Sequence, residues 1–247
     1  MSFLKDKVVI VTGASSGIGA VTAKALAARG ARVVGAALDE DGLKRIVAEI
    51  EAEGGTASAT TVDVTDPQSA NDLVTYTVEK FGTVDVLVNN AGLMLFSKWK
   101  DRALDDWTRM VDVNIRGYLN TIHAVLPTML ANRSGHILNM ASVAGHSVGE
   151  GAGVYSATKF FVAAMTESLR KELGVDEGIR ATAISPGVID TGWPSKVTDP
   201  QGRKAAEELA KLAIQPEAVA SAVVYALDQP ENVTVNDLIV SPTRQPW

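Results

Sequence analysis

The chain contains no cysteine and only three histidines. Without thiols there is no disulfide framework, no thiolate zinc site and no cysteine nucleophile. The histidines, at 123, 136 and 146, lack metal-ligand spacing, so no metal site is expected. A strong charge of one sign is also missing. The formal net charge is -6, and acids and bases are interspersed, as in 39–53, which reads as a solvated helix face. Nucleic acid is therefore not an expected partner. No uninterrupted apolar run is long enough to span a bilayer, and residues 1–7 do not carry the basic segment and apolar core of a secretory leader. The expectation is a soluble, cytoplasmic protein without membrane contact.

What the chain does have is apolar residues, 46% of 247, enough to bury one sizeable core, so residues 1–247 are read as a single domain. Short runs rich in Val and Ile at 7–11, 32–36, 57–62, 84–88, 136–140, 180–184 and 237–240 predict strands. Amphipathic patterns such as 20–29, 68–80 and 154–173 separate most of them. Strand and helix periods in alternation predict an α/β fold, a doubly wound (Rossmann) parallel sheet of seven strands with helices on both faces. Gly30, Gly54, Gly82, Gly135 and Gly178 are expected as left-handed helix stops. The stretch 185–202, with three prolines and three glycines, is the most irregular, and a connection of that length is usually functional or mobile. A substrate loop is expected at about 188–212.

The first strand runs directly into Thr12-Gly13-Ala14-Ser15-Ser16-Gly17-Ile18-Gly19 and then a helix. Glycines 13, 17 and 19 permit a sharp turn and a close approach to a pyrophosphate, which the amides at the helix start would face. The alternative is a merely structural turn, and its place after the first strand favours a dinucleotide. Lacking a Gly-Lys-Ser/Thr ending, it is not an NTPase P-loop. Two further segments, Asp63-Val64 and Asn89-Asn90-Ala91-Gly92, fall where strand ends would meet the cofactor crevice. Asp63 could accept from an adenine amino group or serve as a turn or capping acid. After the second strand a carboxylate favours NAD and an arginine NADP. The sequence offers Leu38 and Asp39 there, with Ser16 in the turn, so it leans to NAD, with NADP possible. Asp39 could equally be the N-cap of the next helix.

Tyr155 and Lys159 stand four residues apart in a helical stretch and so share one face. An ammonium ~4 Å from a phenol is worth ~4 kcal/mol at an effective dielectric near 20, which would lower the phenol's pKa toward neutrality and suit it to acid/base work. Such a pair also occurs by chance in many helices. Ser142, just past the fifth strand, is placed to bring its hydroxyl to the same oxygen. Asn114 lies within the helical pattern 111–119 where an apolar residue is expected. It is either a satisfied core amide or a link in a proton path to Lys159.

Taken together, the turn at 12–19, Asn89-Asn90-Ala91-Gly92, Asn114, Ser142, Tyr155-x-x-x-Lys159 and Pro186-Gly187 resemble the short-chain dehydrogenase/reductase family, in its subgroup of about 250 residues. That resemblance implies a catalytic tetrad. Tyr155 would be the general acid/base and Ser142 would polarise the substrate oxygen. Lys159 would bind the nicotinamide ribose and tune the tyrosine, and Asn114 would hold a water of the proton relay. Gly13, Ser15, Ser16, Gly17, Ile18, Gly19, Asp39, Asp63, Val64, Asn90, Ala91 and Gly92 would form the cofactor site. Tyr155, Lys159, Pro186, Gly187 and Thr191 would complete it at the nicotinamide end.

Typical NAD-binding relatives carry their acid at the position of Ala37, so this chain departs from that pattern. The resemblance places the substrate pocket at 93–96, 143–153 and 188–196, largely apolar apart from His146 and Glu150. It implies transfer of a hydride between NAD(P)(H) and a carbonyl or secondary alcohol, a medium-sized apolar ketone suiting the pocket. It also implies a homotetramer, or a dimer, built on the helices of Asn114 and Tyr155. The segment 237–243 departs from the family's usual Asp-Gly-Gly ending and is similar to clavulanate-type dehydrogenases, a likeness that fixes no substrate. The tail around Trp247 is expected to pack on a partner subunit. The competing reading is a dinucleotide-binding redox sensor without turnover.

Overall fold

A computed structural model describes residues 2–245. Seven parallel strands form one sheet: β1 (Val8–Thr12), β2 (Arg32–Ala37), β3 (Thr56–Thr61), β4 (Val86–Asn89), β5 (Gly135–Met140), β6 (Ile179–Pro186) and β7 (Asp237–Val240). Their spatial order is β3-β2-β1-β4-β5-β6-β7. The order reverses between β1 and β4, and the carboxyl ends of those strands open a crevice at that point, where doubly wound sheets bind ligands. The doubly wound α/β expectation holds.

Helices cover both faces. Against one lie α1 (Gly17–Ala27), α2 (Glu40–Ala52) and α8 (Glu217–Leu227), whose Leu26, Ile46 and Val223 pack with Val9, Val11 and Val33 of the sheet. Against the other lie α3 (Pro67–Phe81), α5 (Gly117–Asn132) and α6 (Gly153–Glu177), where Leu73, Ile122 and Met165 meet Ile10, Leu87 and Ile137. With apolar cover on both faces, β1 is buried at all five positions, and this is why such strands read as continuous apolar runs. The remaining helices are α4 (Leu104–Val111) and α7 (Pro200–Ala210).

Two local expectations change. Gly30, Gly54, Gly82 and Gly178 do take positive φ, but Gly135 does not; α5 is stopped instead by Arg133 at φ 47. Gly135 is small for another reason, since a Cβ there would lie 2.6 Å from Met129 Sδ. The stretch 111–119 is not a plain α-helix either. Between α4 and α5 the chain winds as a π-helix over Asp112–Arg116, a wider turn that recurs at functional sites.

Candidate active site

The glycine turn sits at the switch point and is held there from β4. Thr12 Oγ1 accepts from the N–H groups of Asn90 and Ala91, both at 3.0 Å. Asn90 Nδ2 donates to Thr12 O at 2.9 Å. Cβ atoms at Gly13 and Gly19 would lie 3.0 and 2.5 Å from that amide, so the turn closes only with glycine at both positions. Asn90 thus shapes the turn as much as it faces the crevice. Gly17, at φ +54, would bring a Cβ to 3.2 Å from the Thr191 methyl, so the two lips of the crevice approach closely.

The start of α1 has no side-chain cap from Ser16 and no acid in its first turn, leaving its amide groups for an anion. These features fit the pyrophosphate of a dinucleotide. Ser15 is buried behind the turn, where its carbonyl accepts from Arg45 at 3.1 Å. Ile18 lines the adjoining cavity. At the adenosine end the acids serve local structure: Asp39 caps α2 through Gly42 N–H at 3.0 Å, and Asp63 Oδ1 accepts from the N–H and hydroxyl of Thr65 at 2.9 and 2.8 Å. Val64 packs where a Cβ on Gly117 would lie 2.8 Å away.

Ser142, Tyr155 and Lys159 converge at the end of β5. Lys159, 4% exposed, donates to Met140 O at 2.7 Å, and its Nζ stands 5.5 Å from the centre of the Tyr118 ring and 5.9 Å from that of Tyr155. Tyr118 donates to the same carbonyl at 3.0 Å. Burial depresses the lysine pKa to about 7. Burial also raises that of Tyr155, and a hydrogen bond with Ser142 works in the opposite direction. The lowered phenol pKa expected from helix spacing is therefore corrected. The ammonium stands 5.9 Å from the centre of the phenol ring, and burial disfavours its own charged form. Desolvation outweighs it, although Tyr155 stays partly exposed and is less completely desolvated than Lys159. Ser142 accepts from Ala144 N–H at 3.1 Å and donates to Pro186 O at 3.4 Å.

Asn114 lies on the π turn and is fully buried. Its Oδ1 accepts from Leu93 N–H and its Nδ2 donates to Leu93 O, both at 2.8 Å, with Thr158 Oγ1 at 3.1 Å from Nδ2. A Cβ on Gly92 would stand 3.3 Å from Asn114 Oδ1 and 3.9 Å from Lys159 Nζ, so amide and ammonium flank the same spot. Asn114 is thus a satisfied core amide that also stands beside Lys159.

A cavity of about 690 Å³ opens in front of this cluster. It takes walls from all three expected segments, including Leu95, Phe96, Val148, Glu150, Val188 and Trp193, and is largely apolar. Phe96 meets Trp193 edge to face at 5.5 Å, joining the loop after β4 to the loop after β6. His146 does not reach the cavity; it hydrogen-bonds Ser185 Oγ at 3.0 Å. Reading the sequence missed Tyr118, Thr158, Lys98 and Gln245. Tyr118 and Thr158 pass as ordinary helix residues, and only their distance to Lys159 and Asn114 singles them out. Lys98 pairs with Glu150 at 2.7 Å across the cavity mouth. Gln245 reaches the wall from 57 residues beyond Val188. Trp247 lies outside the described residues.

Residues 7–202 match the profile of a family described as short chain dehydrogenase. An uncharacterized oxidoreductase of Staphylococcus saprophyticus is 44% identical over 246 residues, 99% of each chain. The closed form of a serine dehydrogenase complexed with NADP+ superposes with a TM-score of 0.89 at 29% identity, over 97% of this chain and 96% of that one. An actinorhodin polyketide ketoreductase variant with NADPH gives 0.87 at 32% identity, over 100% of both.

Proposed function

The chain belongs to the short-chain dehydrogenase family and is an NAD(P)-dependent oxidoreductase, and from that premise we propose that it reduces a medium-sized, largely apolar ketone to the secondary alcohol. The observation that carries this reading is the largely apolar cavity of about 690 Å³ onto which Ser142, Tyr155 and Lys159 all open. When bound, the nicotinamide supplies the hydride. Tyr155 then gives its proton to the carbonyl oxygen as the carbon is reduced, and Ser142 donates to that oxygen and orients it. A phenol whose pKa is raised by burial keeps its proton, which is the form that can donate to a carbonyl oxygen. Lys159 Nζ, 5.9 Å from the centre of the Tyr155 ring, is a nearby group through which the phenol can regain the proton it gives up, and Asn114 holds Leu93 and the π turn in place.

The glycine turn, Asn90, Ala91, Gly92, Pro186, Gly187 and Thr191 hold the dinucleotide in the same reading. NAD is the preferred form. Leu38, 70% exposed, and Asp39 stand where a 2′-phosphate would need a cation, and the nearby Lys44 and Arg45 are already paired with Glu40 and Glu49. The solved relatives above carry NADP+ or NADPH; the NAD reading for this chain rests on its own residues at 38 and 39. A cytoplasmic location completes the proposal.

The test is consumption of NADH and NADPH with a panel of apolar ketones, using wild type and Tyr155→Phe. Tyr155→Phe should lose about 10²- to 10⁴-fold in kcat while still binding the dinucleotide. Full activity in Tyr155→Phe overturns the mechanism, and a higher kcat/KM with NADPH than with NADH overturns the cofactor preference.

A further inference from the structure

The turn that follows β6 is clasped from two sides. Ser142 reaches the Pro186 carbonyl at 3.4 Å, and Gln245, returning from β7, accepts the Val188 N–H on its Oε1 at 3.0 Å. Glycine at 187 is required by this second contact, since a Cβ there would lie 2.3 Å from Gln245 Oε1 and 2.9 Å from Pro242 Cδ. The Val188 N–H can only donate, so the oxygen of the Gln245 amide must face it and the NH2 group must face away. That Nε2 is buried, has no hydrogen-bond partner among the described residues, and belongs to a side chain lining the cavity. Buried donors are rarely left unpaired, and this one, itself shut off from water, belongs to a side chain that forms part of the cavity wall.

We propose that Gln245 is a further ligand-positioning residue of this site, its side-chain NH2 donating a hydrogen bond to a carbonyl-type oxygen of the molecule bound beside Gly187. The inference rests on the oxidoreductase reading above. Such an oxygen has two sources, the carboxamide of the nicotinamide or a second oxygen on the substrate, remote from the carbon that is reduced. In either case the tail following β7 completes the pocket, and its one amide serves two ends: the oxygen fixes the turn and the nitrogen reads the ligand.

Two variants separate the donor from the clasp. Gln245→Glu keeps an acceptor for Val188 N–H and removes the donor when measured at about pH 8, where a glutamate is ionised; Gln245→Ala removes both. Dissociation constants of NADH and NADPH are read from nicotinamide fluorescence. Those of ethyl 3-oxobutanoate and 2-heptanone, equal in chain length but differing in the second carbonyl, are read by ligand-observed NMR on the dinucleotide complex. Thermal unfolding checks that both variants are folded.

The expected result is that Gln245→Glu weakens one ligand by about ten- to a hundredfold, the cost of leaving an oxygen unpaired. Loss of dinucleotide affinity assigns the donor to the carboxamide. Loss confined to ethyl 3-oxobutanoate, with 2-heptanone unchanged, assigns it to the substrate. If Gln245→Glu matches wild type in every constant while Gln245→Ala alone is impaired, Gln245 is only a clasp and the inference falls by itself. If wild type binds neither dinucleotide, the oxidoreductase reading falls with it.

Discussion

Two basic side chains, His136 and Lys159, are held where the neutral form is favoured, and both shift the protein's stability with pH. His136, 1% exposed on β5, stands 2.8 Å from Thr182 Oγ1, which itself donates to Val235 O at 2.6 Å. Thr182 must therefore accept from His136 Nε2–H, leaving Nδ1 bare and without a partner. A second proton would have no acceptor, and burial, with Arg180 nearby, depresses the pKa to about 3. Both folded pKa values lie below the unfolded ones, so the unfolded chain binds more protons in each window. Stability is full above the unfolded pKa and is lost as pH falls, from 6.5 toward about 3 for His136 and from 10.5 toward about 7 for Lys159. Urea unfolding should show losses of up to about 1.4 kcal/mol per pH unit within each window. His136→Val should flatten the acid window and Lys159→Met the alkaline one; unchanged slopes in those variants would refute the assignment.

At the scale of elements, the sheet is crossed by a chain of buried side chains that has no counterpart in the apolar pattern. Thr121 of α5 donates to Asn89 Oδ1 at 2.6 Å, Asn89 Nδ2 to Asn139 Oδ1 at 3.0 Å, and Asn139 Nδ2 to Thr166 of α6 at 3.0 Å. It links the two helices through β4 and β5, directly beneath the residues that open on the cavity. Replacing Asn139 by leucine strands Asn89 Nδ2 in a buried site and should cost about 1–3 kcal/mol for each group left unpaired. A denaturation midpoint equal to wild type would show the chain to be dispensable. Strands and the glycine turn were legible because burial on both faces and the need for positive φ leave marks in residue type. The π turn at Asp112–Arg116 was not, since its one extra residue per turn hardly disturbs a helical apolar pattern. The phenol's pKa was also illegible, because spacing along a helix says nothing about how far the surrounding chain desolvates both partners.

At the scale of the whole molecule, exposed apolar side chains occur on both sides of the sheet among the described residues. On the α5 and α6 side, Leu119 and Phe160 are each 44% exposed and Phe161 36%. On the α8 and β7 side, Tyr225 is 57% and Ile239 56% exposed. A tetramer of dihedral symmetry needs two different self-complementary faces on each subunit, and these exposed groups are candidates for one each. If the homotetramer that the family resemblance implies uses both, each face can be broken alone. Phe160→Glu, which would place a charge in the first face, should leave dimers held through α8 and β7, and Tyr225→Glu should leave dimers held through α5 and α6. The double variant should sediment as a monomer. The two dimers need not be equally active: α6 carries Tyr155 and Lys159, while β7 leads into the segment that carries Gln245. Loss of the first face should lower kcat, and loss of the second should weaken ligand binding. Wild type sedimenting as a monomer, or both single variants remaining tetrameric, would remove these faces as subunit contacts.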